Sequence, residues 1–164
     1  MYISHLCINT PNWKKLAQFY IDVFGFQAIL PERDLHDSWL ETVSGLKGAA
    51  VKGIHIELPG EESRGPTIEI FTHAISAQGN PAAYNAPGIG HFGIVADTRE
   101  DVYSLYRRVL DHGGSSDGRI ASRYYPELQK TCTMVYAKDP DGNIVEILNW
   151  ASGNSAELTA QQEL

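Results

Sequence analysis

A stretch that occurs twice constrains this chain more than anything else in it. HLCINTPNWKKLAQFY begins at His5 and HFGIVADTREDVYSLY begins at His91. Laid over each other without a gap, His5 meets His91, Ile8 meets Ile94, Leu16 meets Val102, Phe19 meets Leu105 and Tyr20 meets Tyr106. A second pair follows, because TIEIF carries Glu69 and IVEIL carries Glu146 with apolar neighbours on both sides. Each half therefore has a histidine in its first apolar run and a glutamate in its last.

The periodicities inside the repeat give an element order. Residues 2–9 are apolar and β-branched and read as a strand. Thr10 and Pro11 then open a helix, Thr10 as N-cap and Pro11 at the first helical position. Its buried face is Trp13, Leu16, Phe19, Tyr20 and Val23, and Gly25 ends it. Strands are expected over 26–30, 49–58 and 67–72. The polar segment 31–47 reads as a loop with a short element near Trp39 to Val43, and PGEESRGP as a hairpin connection. Pro81, Pro87 and Gly88 mark residues 74–88 as a linker, with one helical turn near Ala82 to Tyr84.

The second half repeats the order. A strand over 89–96 leads to a helix capped by Asp97 or Thr98, with Val102, Leu105, Val109 and Leu110 as its buried face. Gly113 and Gly114 stop it. A weak strand is expected within 115–123, strong ones over 131–138 and 143–149, and DPDGN as the turn between the last two. The expected organisation is one domain over 1–150, made of two βαβββ modules at 2–73 and 89–150, followed by a polar tail at 151–164. One such module cannot cover its own sheet face. Two can, as a curved, cup-like mixed sheet with helices outside, an α+β fold.

Composition narrows the function. With 164 residues, 43% hydrophobic and 20% charged, the chain is of ordinary globular make-up. A net charge of −7 argues against nucleic acid or an anionic membrane as partner. No apolar run approaches the roughly 20 residues that span a bilayer, and no secretion signal is evident. The two cysteines, Cys7 and Cys132, are then expected to be reduced, and the location cytoplasmic.

Strand alternation turns the repeat into chemistry. His5, Cys7 and Asn9 share one face of their strand, opposite Leu6 and Ile8. His91 likewise stands opposite Phe92 and Ile94. Glu69 lies between Ile68 and Ile70, and Glu146 between Val145 and Ile147, so both point away from the helix side. An ionised carboxylate there is costly unless a cation or water compensates it. Two imidazoles and two carboxylates, His5, Glu69, His91 and Glu146, suit one divalent ion: Zn, Ni, Co, Mn or Fe. The bland alternative is a hydrogen-bonded structural histidine and a solvent-facing glutamate in each half. The matched positions of all four weigh against it.

On HLCINTPNWKKLAQFYIDVFGF, TIEIF, GIGHFGIVADT and DPDGNIVEIL, over roughly residues 2–150, the chain resembles the vicinal oxygen chelate superfamily. That group includes glyoxalase I, methylmalonyl-CoA epimerase, extradiol dioxygenases, and the fosfomycin and bleomycin resistance proteins. The resemblance implies paired βαβββ modules, a metal held by His5, Glu69, His91 and Glu146, drawn from one chain or shared across a dimer, and a homodimer on either account. It implies a metal-dependent lyase or isomerase of the glyoxalase/epimerase type. Such an enzyme chelates vicinal oxygens of a small substrate and stabilises an enolate, with Glu69 or Glu146 as catalytic base. An Fe(II) extradiol-type dioxygenase using His5, His91 and Glu146, or a non-catalytic ligand-binding resistance protein, are the alternatives.

Two departures bear on the substrate. Asn9 stands where bacterial glyoxalase I has an arginine that helps hold glutathione, and His73 where it has an asparagine. Asn9 and His73 are candidate substrate groups for this reason. Residues 115–130 are the candidate substrate-covering loop, in which Arg119, Arg123 and Lys130 could meet an anionic substrate between Tyr124 and Tyr125. Glu41 is a candidate for the further carboxylate of the epimerases, against a solvated loop residue. His55 is expected at the surface or in a structural role, with a group supporting the metal ligands or meeting the substrate as the alternative, and His36 and His112 are expected in solvent. GIGHFG enters a strand rather than leaving one, so it is not a dinucleotide fingerprint. DPDGN has Trp150 where a calcium loop needs glutamate.

Overall fold

The computed structural model describes residues 4–59, 66–74 and 91–154. The linker, the helical turn near Ala82, most of the PGEESRGP connection and the end of the tail lie outside the described residues. The chain divides into two compact units, Met1–Asn80 and Pro81–Leu164. No helix of the described residues is long and apolar enough to cross a membrane.

The first unit contains β1 (His5–Asn9), α1 (Trp13–Phe24), β2 (Gln27–Leu35), α2 (Ser38–Ser44), β3 (Val51–Glu57) and β4 (Thr67–His73). Its strands run in the order β1-β4-β3-β2. The pair β1–β4 is parallel, and β2–β3 and β3–β4 are antiparallel. The second unit contains β5 (Phe92–Val95), α3 (Arg99–Asp111), β6 (Ala121–Tyr125), β7 (Lys130–Lys138) and β8 (Ile144–Ser152), in the order β5-β8-β7-β6. Again the first and last strands pair in parallel and the rest antiparallel. Each unit is thus a βαβββ sheet with its helix on one face, and the α+β class expected from the repeat holds.

Burial of one helix stripe against one sheet face builds each core. Leu16, Phe19, Tyr20 and Val23 of α1 are buried, as are Ile54, Ile56, Ile68 and Ile70 of its sheet. In the second unit Val102 and Val109 of α3 are buried, with Val135, Ala137, Val145 and Ile147. Leu110 does not join them and is 44% exposed. It lies one residue, about 100° of helix rotation, past Val109 and so falls off the stripe.

Several boundaries move from the sequence expectation. The N-cap of α1 is Asn12, whose side chain accepts from Lys15 N–H, rather than Thr10. Thr10 is buried, and its hydroxyl accepts from Asn12 N–H, so the chain makes one more turn before the helix. In the segment read as a loop from 31 to 47, β2 continues to Leu35, and the short element expected near Trp39 to Val43 is α2. The 115–130 segment contains β6, hydrogen-bonded to β7, so it is not a free loop. The last strand runs past Asn149 to Ser152. Of the two candidate caps for α3, Thr98 serves, in a reciprocal capping box with Asp101.

Candidate functional site

Register places the repeated residues. In the first unit Cys7 is paired with Glu69 in the parallel ladder, and His5 lies two residues earlier on the same face. In the second, Gly93 is paired with Glu146 and His91 again lies two residues earlier. The offset is the same in both. It brings His5 Nε2 to 3.4 Å from Glu69 Oε2, and His91 Nε2 to 3.3 Å from Glu146 Oε2. Both glutamates are largely covered, with side chains 16% and 18% exposed.

The strand that carries each glutamate is also tied to the start of its helix. Thr72, three residues after Glu69, accepts from Trp13 N–H at 3.0 Å. Asn149, three residues after Glu146, donates from Nδ2 to the carbonyls of Ala96 and Asp97 at 2.8 and 3.0 Å. Different residue types perform the same task at equivalent positions.

The two halves differ in what supports the glutamate. On β3, His55 stands directly across the ladder from Glu69. Its Nε2–H donates to Glu69 Oε1 at 2.9 Å, and the Thr67 hydroxyl, 3.3 Å from Nδ1, completes the chain. Burial lowers the His55 pKa, with the charges of Arg33 and His5 adding to the effect and Glu69 opposing it. The lowered pKa favours the neutral imidazole, which donates through Nε2 to Glu69. In the second unit the equivalent position across from Glu146 is Tyr136, whose ring lies 4.8 Å from that of His91. Of the two roles open to His55, the structure places it beside Glu69, supporting that carboxylate. The signal that could have found it is its parity with Gly53 and Val51 on the strand facing Glu69.

Cys7 also faces Glu69. Burial, the Glu69 charge and a hydrogen bond to Glu69 push its pKa up to about 11, which keeps it a thiol in the metal-free protein. In the second unit Gly93 occupies that place, and an added Cβ would sit 3.4 Å from Glu146 Oε2.

The candidate substrate residues are spread more widely. Asn9 Oδ1 and His73 Nε2 are hydrogen-bonded at 2.9 Å. They lie four residues along their strands from His5 and Glu69, about 13 Å at the rise of a strand. Arg123 is paired with Cys132, four residues from Tyr136, and its guanidinium stacks over Tyr125 at 5.0 Å. Lys130 lies two residues farther along, opposite Tyr125. Neither is beside Glu146. Arg119, by contrast, lines a cavity together with Tyr136. Glu41 accepts from Gly48 N–H and so caps the turn after α2. His36 and His112 are in exposed positions, the latter bonded to the Arg108 carbonyl.

The donor chemistry can be compared with the needs of an ion. Ligands 2.0–2.2 Å from a shared ion lie about 3.0 Å apart at a right angle and about 3.4 Å apart at a tetrahedral angle. The two His–Glu separations, 3.4 and 3.3 Å, fall at that spacing, so each pair fits two positions on one ion. Among the described residues, no three His, Cys, Asp or Glu side chains close around a common point.

The model of the glyoxalase/bleomycin resistance protein/dioxygenase superfamily matches residues 2–147. The chain belongs to this superfamily. Solved structures of the superfamily share its fold. A glyoxalase family protein from Bacillus cereus is 15% identical with a TM-score of 0.77, covering 93% of this chain and 95% of that one. A family enzyme from Burkholderia phytofirmans is 19% identical with a TM-score of 0.57, covering 91% and 98%. A glyoxalase I mutant from Zea mays is 18% identical with a TM-score of 0.63, covering 90% of this chain but 44% of that longer one. A search of curated proteins finds no match. Superfamily members include enzymes and non-enzymes, and many of them bind a divalent metal.

Proposed function

We propose that His5, Glu69, His91 and Glu146 together hold one divalent ion, and that the protein is a metal-dependent lyase or isomerase of the glyoxalase/epimerase type. The observation that carries this reading is the repeated His–Glu pair, set at the same strand offset and at ligand spacing in both units. The donor set suits Zn, Ni, Co, Mn or Fe. When bound, the ion supplies Lewis-acid stabilisation of negative charge developing on a substrate oxygen.

The chain's own groups supply the proton transfer. Glu69 has both carboxylate oxygens engaged, Oε2 toward His5 and Oε1 by His55. Glu146 is met by His91 at Oε2. Glu146 is therefore the carboxylate better placed to take a proton from the carbon beside a carbonyl. The substrate is a small molecule with vicinal oxygens. Paired modules in this superfamily also support a homodimer.

Metal analysis of the purified protein, together with α-proton exchange of α-hydroxy carbonyl compounds and acyl-CoA thioesters in D₂O, tests this reading. One bound divalent ion and exchange lost in Glu146→Gln are expected. Unchanged metal content in both Glu69→Gln and His91→Ala would refute the ligand assignment. Bound iron with dioxygen uptake would replace the lyase by a dioxygenase, and ligand binding without metal would replace it by a binding protein.

A further inference from the structure

On the face of the second sheet that α3 does not cover lies a cavity of about 440 Å³. Its apolar wall includes Ala121 of β6, Met134 of β7 and Ile144 of β8, and Tyr136 forms another part. The same Tyr136 ring packs on His91, so the cavity adjoins the His91–Glu146 pair within one unit. Three charged side chains also line it: Asp117, Arg119 and Lys138. Asp117 and Lys138 are ion-paired with each other. Arg119 meets no carboxylate among the described residues, which leaves one positive charge uncompensated at the edge of an apolar cavity.

A cavity of this size holds a drug-sized apolar group, and its few polar lining groups set the orientation of what it takes. A guanidinium without a partner is a planar fork suited to a carboxylate. We propose that this cavity receives the non-reacting part of the substrate, and that this part is an acyl or aryl group ending in a carboxylate held by Arg119. The assignment rests on the proposed function in one respect, that the reacting end lies at the His91–Glu146 pair.

Isothermal titration of the metal-free full chain with 2-naphthoate and its uncharged analogue 2-naphthamide tests it. Charge-assisted hydrogen bonds predict that naphthoate binds about tenfold more tightly than the amide or better. Arg119→Gln is expected to remove that difference and leave the amide unchanged. Ala121→Phe, on an exposed position of edge strand β6, is expected to weaken both by filling the cavity. Equal affinities for the two probes, no binding of either, or naphthoate binding unaffected by Ala121→Phe would overturn the proposal. Zinc affinity of the same variants separates the two ideas. Naphthoate binding without zinc binding sinks the metal reading alone, and zinc binding without naphthoate binding sinks the cavity assignment alone.

Discussion

Replacing His55 by alanine tests whether the carboxylate of Glu69 is held ready for an ion. In the wild type its Oε1 accepts from His55 at 2.9 Å, which turns Oε2 toward His5. The alanine variant loses a hydrogen bond to a charged group, typically worth about 1.5–3 kcal/mol. The Glu69 side chain is 16% exposed, so water can replace part of that bond and the lower end applies. The freed carboxylate also regains rotamer entropy that metal binding must remove again. A loss of about 1.5–2 kcal/mol corresponds to roughly 10- to 30-fold weaker metal binding, within the range seen when an outer hydrogen-bond partner of a ligand is removed. Zinc competition against a chromophoric chelator measures it. His55→Gln keeps an N–H donor and is expected to recover most of the affinity. If His55→Ala binds zinc as tightly as wild type while His5→Ala does not, the His55–Glu69 bond has no part in holding the ligand.

Three further outcomes are expected. Cys7 in metal-free protein is expected to resist iodoacetamide at pH 8 and to react as the pH approaches about 11, because its thiol must first lose its proton beside the Glu69 charge; rapid labelling at pH 8, read by mass spectrometry, would contradict the raised pKa of this exposed thiol. Gly53→Ala places a methyl group against the Ile70 carbonyl and the Phe71 ring. It must push β3 from β4, with an expected loss of about 3 kcal/mol or more in urea unfolding, at the upper end for overpacking. Thr98→Ala removes the capping box of α3 and is expected to cost about 1 kcal/mol in the same assay without changing zinc affinity.

The sequence made the fold legible where periodicity was strong. The stripes of α1 and α3 and the apolar strands β3, β4, β7 and β8 follow from spacing alone. Chain segments with mixed polarity did not read as well. QAILPERDL carries a proline and three charges, so its run as one strand depends on pairing with β3. The end of α1 is set by Gly25, but its start depends on Thr10 being buried, which no local pattern reveals. The His–Glu pairs were legible because duplication marks them twice. His55 was legible only as one of two alternatives, because its counterpart is Tyr136 and the repeat therefore does not flag it. Arg119 lies in a polar segment with no apolar pattern to flag it, and only the fold brings it to the cavity that Tyr136 also lines.

The parallel pairings carry one more consequence, for folding. His5 is joined to Thr67 and Phe92 to Val145, so each His–Glu pair is made by the contact most distant in sequence within its unit. Such contacts carry the largest loop-closure cost. A slip of one residue in either ladder would turn the glutamate to the helix side and an isoleucine or valine outward. An ion bound as proposed would recognise only correctly registered sheets, and would shift the equilibrium toward them by mass action. Metal uptake during refolding would then report the closing of these two ladders, a local readout of register that overall helix content cannot give.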